Sequence, residues 1–299
     1  VNSRRAETQG ANMKNIYNNE KRLLHGGDYN PDQWLDYPDI LKDDLRLMKL
    51  ANVNTMTVAI FAWSALEPTE GNYNFEWLDK IIDDVYNQGG RVILATPSGA
   101  RPAWLSEKYP EVLRTNDRRE KMLHGGRHNH CFSSPIYREK TQKMNYKLAE
   151  RYGNHPALIM WHVSNEYSGD CHCEQCQENF RDWLKNKYKT IENVNKAWWG
   201  PFWSHTYTDW SQIESPSSIG ENAVHGLNLD WKRFVTDQTI GFYENEAKPL
   251  RELTPNVPIT TNFMADTDDL IPFQSLNYDK FSKHVDILSW DCYPAWHND

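Results

Sequence analysis

The sequence has no long apolar run and no excess of positive charge. Its 33 basic and 41 acidic side chains give a net charge of −8, so its electrostatic field repels phosphate backbones and anionic lipids. No apolar stretch approaches the ~18 residues of a membrane-spanning helix, and the N-terminal residues lack the apolar core of a signal peptide. These features predict a cytoplasmic protein that binds neither nucleic acid nor membranes.

Cysteines are also few, and their placement is uneven. Four of the five are Cys131, Cys171, Cys173 and Cys176, whereas Cys292 stands apart. In an intracellular protein, cysteines spaced this closely indicate a metal site before they indicate disulfides. Three thiolates from one short segment and a fourth from Cys131 would surround Zn²⁺ as a tetrahedron. Because such a ligand set leaves no open position, the predicted zinc ion is structural.

The residues alone leave two alternatives to this zinc site open. The cysteines could be reduced thiols that only fill a loop. A nearby histidine could also replace one of the ligands, although a single loop histidine more often makes a hydrogen bond. The histidines close enough in the sequence are His124, His128, His130 and His172.

Length and aromatic content narrow the class of protein only partly. The 299 residues fit either two ordinary domains or one barrel-sized domain. Thirteen Trp, fifteen Tyr and ten Phe suit a protein that packs or binds with flat rings, since both sugars and bases stack on such side chains.

Six short apolar runs resemble strands because they are β-branched or aromatic and end in polar or turn-forming residues. They are residues 23–27, 53–61, 91–97, 157–165, 258–264 and 285–294. Helical patterns lie between them, at residues 37–54 and 75–90, and Ser134-Pro135 supply the N-cap and first-turn proline of a third helix. Residues 190–230 have weak periodicity and several Trp, so we expect them to shape a pocket or a subunit contact.

This alternation of strands and helices is typical of a parallel α/β protein. A doubly wound sheet would be favoured by a glycine-rich phosphate turn after the first strand, but HGGDYNPDQW lacks GxGxxG. We therefore predict a (β/α)8 TIM barrel of which about six strand–helix units are present. Residues 1–20 are expected to be a disordered tail or an expression remnant, and residues 21–299 a barrel domain that is incomplete at its C-terminal end.

The strongest candidate for chemistry is Glu166, at the end of the fourth predicted strand. Active sites of such barrels lie at the C-terminal ends of the strands. Between Trp161 and Tyr167 the carboxyl would be partly desolvated, which raises its pKa and suits a general acid. Asn165 could hydrogen-bond a substrate hydroxyl. The alternative is that Glu166 only caps the following segment or pairs with an arginine.

Several motifs in a fixed order resemble one family. An Asn-Glu pair at a strand end, as in WHVSNEY, resembles the retaining glycosidases of the large (β/α)8 clan. Together with HGGDYNPDQW, FAWSALEPTEGNYNFEWLD, ATPSGARPAWL, HNHCFSSP and SWDCYP, it is similar to glycoside hydrolase family 42, the β-galactosidases. The resemblance runs from about residue 23 to residue 299.

The resemblance implies a retaining hydrolase that cleaves terminal non-reducing β-D-galactosyl residues from galactosides or galacto-oligosaccharides. It implies that Glu166 is the acid/base and that Asn165 contacts the sugar. By the same resemblance, Arg127 in GGRHNHC corresponds to a galactose-binding arginine and Tyr293 in DCYP to a tyrosine beside the nucleophile. Some members of the family also carry the four-cysteine cluster.

A retaining glycosidase needs a second carboxylate about 5 to 5.5 Å from the acid/base. The family places it as a glutamate on the seventh strand, so the nucleophile is expected beyond residue 299, on a longer enzyme that resembles homotrimeric relatives. Asp28 and Asp291 also end strands and could orient Arg127 or a sugar hydroxyl. Glu67 precedes a proline and is interpreted as part of a structural turn.

Other functions are compatible with the same residues. A related specificity, such as α-L-arabinopyranosidase or β-fucosidase, would need only a change around one carbon of the sugar. A catalytically silent galactoside-binding or assembly module could bind through Trp198, Trp199 and Trp203. A zinc module that contacts nucleic acid conflicts with the negative charge.

Overall fold

The protein forms a parallel sheet whose strands follow one another in chain order. A computed structural model describes residues 22–264 and 276–291. The strands are β1 (Gly26–Tyr29), β2 (Thr55–Val58), β3 (Arg91–Ala95), β4 (Leu158–His162), β5 (Ile259–Thr260), β6 (Asn262–Met264) and β7 (Ser289–Asp291). Strands β1 to β5 pair in parallel in the order β1-β2-β3-β4-β5, and β6 pairs in parallel with β7. A doubly wound sheet would reverse its strand order, whereas a barrel keeps it.

Helices connect the strands. They are α1 (Pro38–Leu50), α2 (Trp63–Leu66), α3 (Glu76–Asn87), α4 (Ala103–Lys108), α5 (Pro135–Tyr152), α6 (Glu174–Tyr188), α7 (Ile191–Trp198), α8 (His225–Leu253) and α9 (Tyr278–Ser282), with 3-10 turns at Pro31–Trp34, Pro110–Val112, Phe202–Ser204 and Trp210–Gln212. Helix α5 begins where predicted, because the Ser134 hydroxyl accepts a hydrogen bond from the Tyr137 amide and Pro135 occupies the first turn.

The buried apolar side chains form two clusters. The larger lies between the sheet and its helices and includes the fully buried rings of Trp63 and Trp161. The smaller surrounds the cysteines and includes Phe180 and Trp231. The cysteine segment therefore has a small core of its own, beside the core of the sheet.

The predicted elements match the observed ones with two differences. The predicted run 258–264 is divided into β5 and β6, which pair with different strands. Helices α2, α4 and α6 to α9 were not predicted, and α7 lies inside the segment 190–230, for which only weak periodicity was noted. The expected tail at residues 1–20 lies outside the described residues. No helix in the described ranges is both long and apolar enough to cross a membrane.

Candidate active site

Glu166 lies just beyond the end of β4, in a backbone conformation that is held from both sides. Ser164 and Glu166 have positive φ angles of 55° and 41°, which L-residues seldom adopt. The Ser164 amide donates to the Thr96 hydroxyl at 2.8 Å, and the Glu166 amide donates to the Asn262 side-chain oxygen at 2.9 Å. Neighbouring strand ends therefore fix the direction in which the Glu166 side chain leaves the chain.

Arg127 reaches this carboxylate from another loop. Its guanidinium lies 2.8 Å from Oε2 of Glu166, and it is 49% exposed whereas the glutamate side chain is 8% exposed. The same guanidinium lies 5.6 Å from the centre of the Phe61 ring. The resemblance named both residues as site residues, and the structure brings them into contact.

The pKa of Glu166 is raised above its ordinary value. Burial is the main cause, and the neighbouring Asp291 carboxyl raises the pKa further, while the charge of Arg127 opposes both. A raised pKa favours the protonated form of the carboxyl, which can donate its proton to a leaving group, so this environment suits the general acid that the sequence predicted.

A cavity of about 410 Å³ opens at the strand ends, and Asn165, the residue before Glu166, is part of its lining. Asn165, Asn262, Asp28 and Asp291 line it, so polar groups from β1, the β4 end, β6 and β7 converge there. Asn262 was not predicted, yet it links the site: it accepts from the Glu166 amide and donates to Oδ1 of Asp291 at 2.9 Å. Its only sequence signal is its place in the fifth predicted strand.

Glu67 is the structural turn residue that the sequence indicated. Its carboxylate accepts hydrogen bonds from the Trp63 indole at 2.9 Å and from the Gly71 amide at 2.8 Å. Both oxygens are therefore engaged within one turn. Tyr293, the remaining predicted substrate contact, lies outside the described residues.

The four cysteines come together as predicted. Their sulfurs all lie within 4.8 Å of one another. The sulfur of Cys131 lies 3.7 Å from that of Cys173 and 3.4 Å from that of Cys176. Four thiolates at about 2.3 Å from a tetrahedral zinc ion would stand about 3.8 Å apart, so the arrangement fits the ion. In the described part of the chain, the group of side chains that could hold a metal consists of these four cysteines. None of the four histidines that were considered as substitute ligands belongs to it.

Arg114, which the sequence analysis did not single out, ties the cysteine loops to the loop of Glu166. Its guanidinium donates to the His130 carbonyl at 2.8 Å and to the Ser168 carbonyl at 2.6 Å. The next amide, of Thr115, donates to the sulfur of Cys171 at 3.4 Å. The cysteine cluster and the acid/base loop are therefore joined through one arginine.

Comparisons with known proteins agree with this geometry. The family model of glycoside hydrolase family 42, described as beta-galactosidase, matches residues 28–299. The chain belongs to this family. Among curated members, GalA of Bacillus licheniformis is 73% identical over 278 residues, which are 93% of this chain and 41% of that protein. GanA of Bacillus subtilis is 72% identical over the same shares of the two chains.

Solved structures of family 42 members also match. A catalytic mutant of Gan42B, a β-galactosidase of G. stearothermophilus, is 75% identical with a TM-score of 0.90, over 92% of this chain and 40% of that one. The β-galactosidase of Rahnella sp. R3 is 58% identical with a TM-score of 0.89, over 93% of this chain and 40% of that one. The predicted barrel class is thereby confirmed, and this family 42 chain spans about 41% of the length of the curated relatives it matches.

Proposed function

We propose that this chain supplies the general acid/base of a retaining β-galactosidase, in which Glu166 is the acid/base. The observation that carries the proposal is the Glu166 carboxyl itself, which is buried, raised in pKa and in contact with Arg127, and which directly follows Asn165 of the strand-end cavity. Membership of family 42 supports the substrate class. Asn165 and Arg127 are proposed to bind the galactosyl unit, the first from the cavity wall and the second from beside Glu166.

In the proposed reaction, Glu166 first donates its proton to the glycosidic oxygen, so that the leaving group departs as a neutral alcohol. After the galactosyl unit has formed an ester with a nucleophilic carboxylate, Glu166 takes a proton from water, and the water oxygen attacks the anomeric carbon. Burial favours the protonated form that the first step needs, while Arg127 favours the ionised form that the second step needs.

The nucleophile is proposed to lie beyond residue 299. Asp291 is the carboxyl that raises the pKa of Glu166, and its Oδ1 accepts a hydrogen bond from the Asn262 side chain. The resemblance gives Asp291 no nucleophile role and places the nucleophile as a glutamate on the seventh strand.

Hydrolysis of an aryl β-D-galactoside tests the function. In the full-length protein, Glu166→Gln should lower kcat/KM by a factor of about 10² to 10⁴, since a positioned proton donor contributes that much. Glu107→Gln, at an exposed carboxylate on α4, is the matched control and should change nothing. A chain whose intact mass corresponds to residues 1–299 should show no turnover; turnover at that mass would place the nucleophile inside this sequence, with Asp291 the first candidate.

The same assay separates the alternatives. Aryl α-L-arabinopyranoside and aryl β-D-fucoside should be poorer substrates than the galactoside. A preference for either would reassign the specificity within the same site. Galactose binding that persists in Glu166→Gln, with no turnover in the parent protein, would instead indicate a silent binding module.

We also propose that Cys131, Cys171, Cys173 and Cys176 hold a structural zinc ion. The distances between their sulfurs support this, because they match a tetrahedral set of thiolates. The ion would cross-link the two loops and take no part in proton transfer. Metal analysis of the purified chain should give about one zinc ion per chain, and Cys173→Ser should lose it, whereas Cys292→Ser should retain it.

A cytoplasmic, homotrimeric full-length protein completes the proposal. Thiols that must stay reduced to bind metal favour a reducing compartment. Trp199, Phe202 and Trp203 are 83%, 76% and 72% exposed, and such a group of rings supports a subunit contact. Light scattering measures the molar mass of the full-length protein and so tests the assembly. We expect a trimer for the parent and a smaller species for Trp203→Ser. A monomeric parent would refute the proposal.

A further inference from the structure

We propose that Glu246, on α8, is a positioning residue for the acid/base, which it holds in place through Tyr167. This inference rests on the proposed function and adds to it what fixes the chain that follows Glu166. The Glu246 side chain is fully buried, so a substrate cannot touch it. Its effect on the reaction must therefore pass through a neighbouring residue.

Tyr167, the residue after Glu166, is attached to α8 through both its hydroxyl and its ring. The hydroxyl donates a hydrogen bond to Oε2 of Glu246. The ring meets the rings of Phe242 and Tyr243, one turn earlier in α8, edge-on at centre-to-centre distances of 6.1 Å and 6.2 Å. Edge-to-face contacts together with a hydrogen bond fix both the position and the rotation of a tyrosine ring. The segment that carries the acid/base is therefore bound to one helix.

The backbone at Glu166 needs such an attachment. Its φ of 41° lies in the left-handed region, where a residue with a side chain stays only when the surrounding structure holds it. Thr96 and Asn262 accept hydrogen bonds from the chain up to and including the Glu166 amide, and Tyr167 holds the chain after it. Without the bond to Glu246, the backbone of Glu166 can rotate and move the carboxyl away from the glycosidic oxygen. A displacement of about 1 Å can lower a rate by about 10².

The helix that carries Glu246 is itself tied to α5 at this point. The Asn145 side-chain amide donates to the Glu246 carbonyl at 2.9 Å, and the Arg138 guanidinium donates to the Gly241 carbonyl at 3.0 Å. In the opposite direction, the Asn245 side-chain amide donates to the Arg138 carbonyl at 3.0 Å. Hydrogen bonds in both directions hold the two helices together. An acceptor on a helix held in this way is a fixed point for the side chain that binds it.

A carboxyl at this position is costly to the fold, which favours a role other than packing. Oε2 of Glu246 accepts from Tyr167, whereas Oε1 has no hydrogen-bond partner among the described residues. Burial raises the pKa of Glu246, and the nearby Ser98 hydroxyl opposes that rise only in part. An apolar side chain of similar length would avoid the cost of burying the acid. Proteins keep such costly groups mainly where a functional site depends on them.

The test compares two donors that differ in how much they need the acid. The phenol of phenyl β-D-galactoside leaves with a proton from Glu166, whereas β-D-galactosyl fluoride loses a fluoride anion that needs little help from an acid. In the full-length protein, Tyr167→Phe and Glu246→Met should each lower the ratio of kcat/KM for the phenyl galactoside to that for the fluoride by about tenfold. Glu246→Gln should keep most of the ratio, because its amide oxygen can still accept from Tyr167. The ratio does not depend on how much of the sample is folded, because both donors are measured on the same protein.

Tyr152→Phe is the matched control, because it removes a buried hydroxyl that donates to Asp79 on α3, and it should leave the ratio unchanged. The double variant of Tyr167→Phe and Glu246→Met should lower the ratio no further than either change alone, since both remove the same hydrogen bond. An unchanged ratio in Tyr167→Phe, or an equal fall in Tyr152→Phe, would overturn the inference and leave the proposed function standing. A parent protein that releases no galactose from either donor would overturn the proposed function, and the inference with it.

Discussion

At the scale of single residues, the Glu166 carboxyl is subject to two opposing neighbours. Asp291 raises its pKa and Arg127 lowers it, on top of the increase that burial causes. A group in such a balance can be protonated in one step of a reaction and ionised in the next. The balance also predicts that removing either neighbour moves the pKa in a known direction.

Asp291→Asn should lower the pKa of Glu166, because it removes the carboxyl that competes for the negative charge. Arg127→Met should raise it, because it removes the nearby cation. Carbon-13 NMR titration of protein labelled at glutamate side chains measures both shifts, with Glu166→Gln to assign the signal. Shifts of equal sign in the two variants would contradict this account of the site.

Glu246 is a second buried acid, and it lies directly behind the site. It is fully buried in α8 and accepts a hydrogen bond from the hydroxyl of Tyr167, the residue after Glu166. Burial raises its pKa from 4.5 to about 7. The folded state therefore holds this proton more tightly than the unfolded state does. The resulting stabilisation is complete below pH 4.5 and is lost as the pH rises through about 7.

Glu246→Gln should remove this dependence, since glutamine has no proton to release. Between pH 5 and pH 8, the free energy of unfolding of the parent should fall relative to that of the variant by on the order of 3 kcal/mol. Urea unfolding of both proteins at the two pH values measures the difference. Equal pH dependence in the two proteins would show that Glu246 is ionised or protonated alike in both states.

At this scale, the role of a residue could be predicted from the sequence only where that role depends on neighbouring positions in the chain. Glu166 was identifiable because its place at a strand end and its apolar neighbours are local. The contacts of Asn262 with the Glu166 amide and with Asp291 were not, because they join residues 96 and 29 positions apart in the chain. Glu246 was not identified for the same reason, because its hydrogen-bond donor, Tyr167, lies 79 positions away in the chain.

At the scale of elements, the start of α5 can be predicted from the sequence. The Ser134 oxygen accepts from the Tyr137 amide, one of the donors that the first turn leaves free. Ser134→Ala should lower the free energy of unfolding by about 1 kcal/mol. Ser134→Thr, which keeps the oxygen, should restore most of the loss, and Ser64→Ala at an exposed position of α2 is the control. Urea unfolding at one pH measures all four proteins.

The elements that were not predicted lack such signals. Helix α8 buries Asp230, Thr239 and Glu246 beside its apolar residues and contains Pro249, so its apolar periodicity is interrupted. The division of residues 258–264 into two strands depends on their partners, because β5 pairs with β4 and β6 pairs with β7. Neither pairing can be read from the run itself, whose composition is that of one strand.

At the scale of the whole molecule, two cores share a boundary that includes the site. The core of the sheet includes Val163 and Tyr167, on either side of Asn165 and Glu166 in the chain, and the smaller core holds the cysteines. Arg114 connects the two through the His130 and Ser168 carbonyls. The strand order was predictable from the repeated strand–helix pattern. The second core was not, because Trp231 and Phe180 reach the cysteines from helices that the sequence did not reveal.

Removal of the proposed zinc ion should therefore loosen one core and spare the other. Without the ion, the thiols are held by hydrogen bonds among themselves and by single donors, such as the Thr115 amide to Cys171 and the Gln238 side chain to Cys176, both at 3.4 Å. These contacts are weaker than four metal–thiolate bonds, so the loops at 128–131 and 168–176 should open more often. Helix α3, whose buried side chains belong to the core of the sheet, should be unaffected.

Hydrogen exchange followed by mass spectrometry distinguishes the two cores in one experiment. After chelation, exchange should accelerate in the peptides that carry Cys131 and Cys171 and remain constant in those that carry α3. Cys173→Ser should reproduce the effect without a chelator, and Cys292→Ser should not. Acceleration throughout the chain would mean that the two cores unfold as one cooperative unit. The hydrogen bonds of Arg114 would then couple the two cores instead of marking the limit between them.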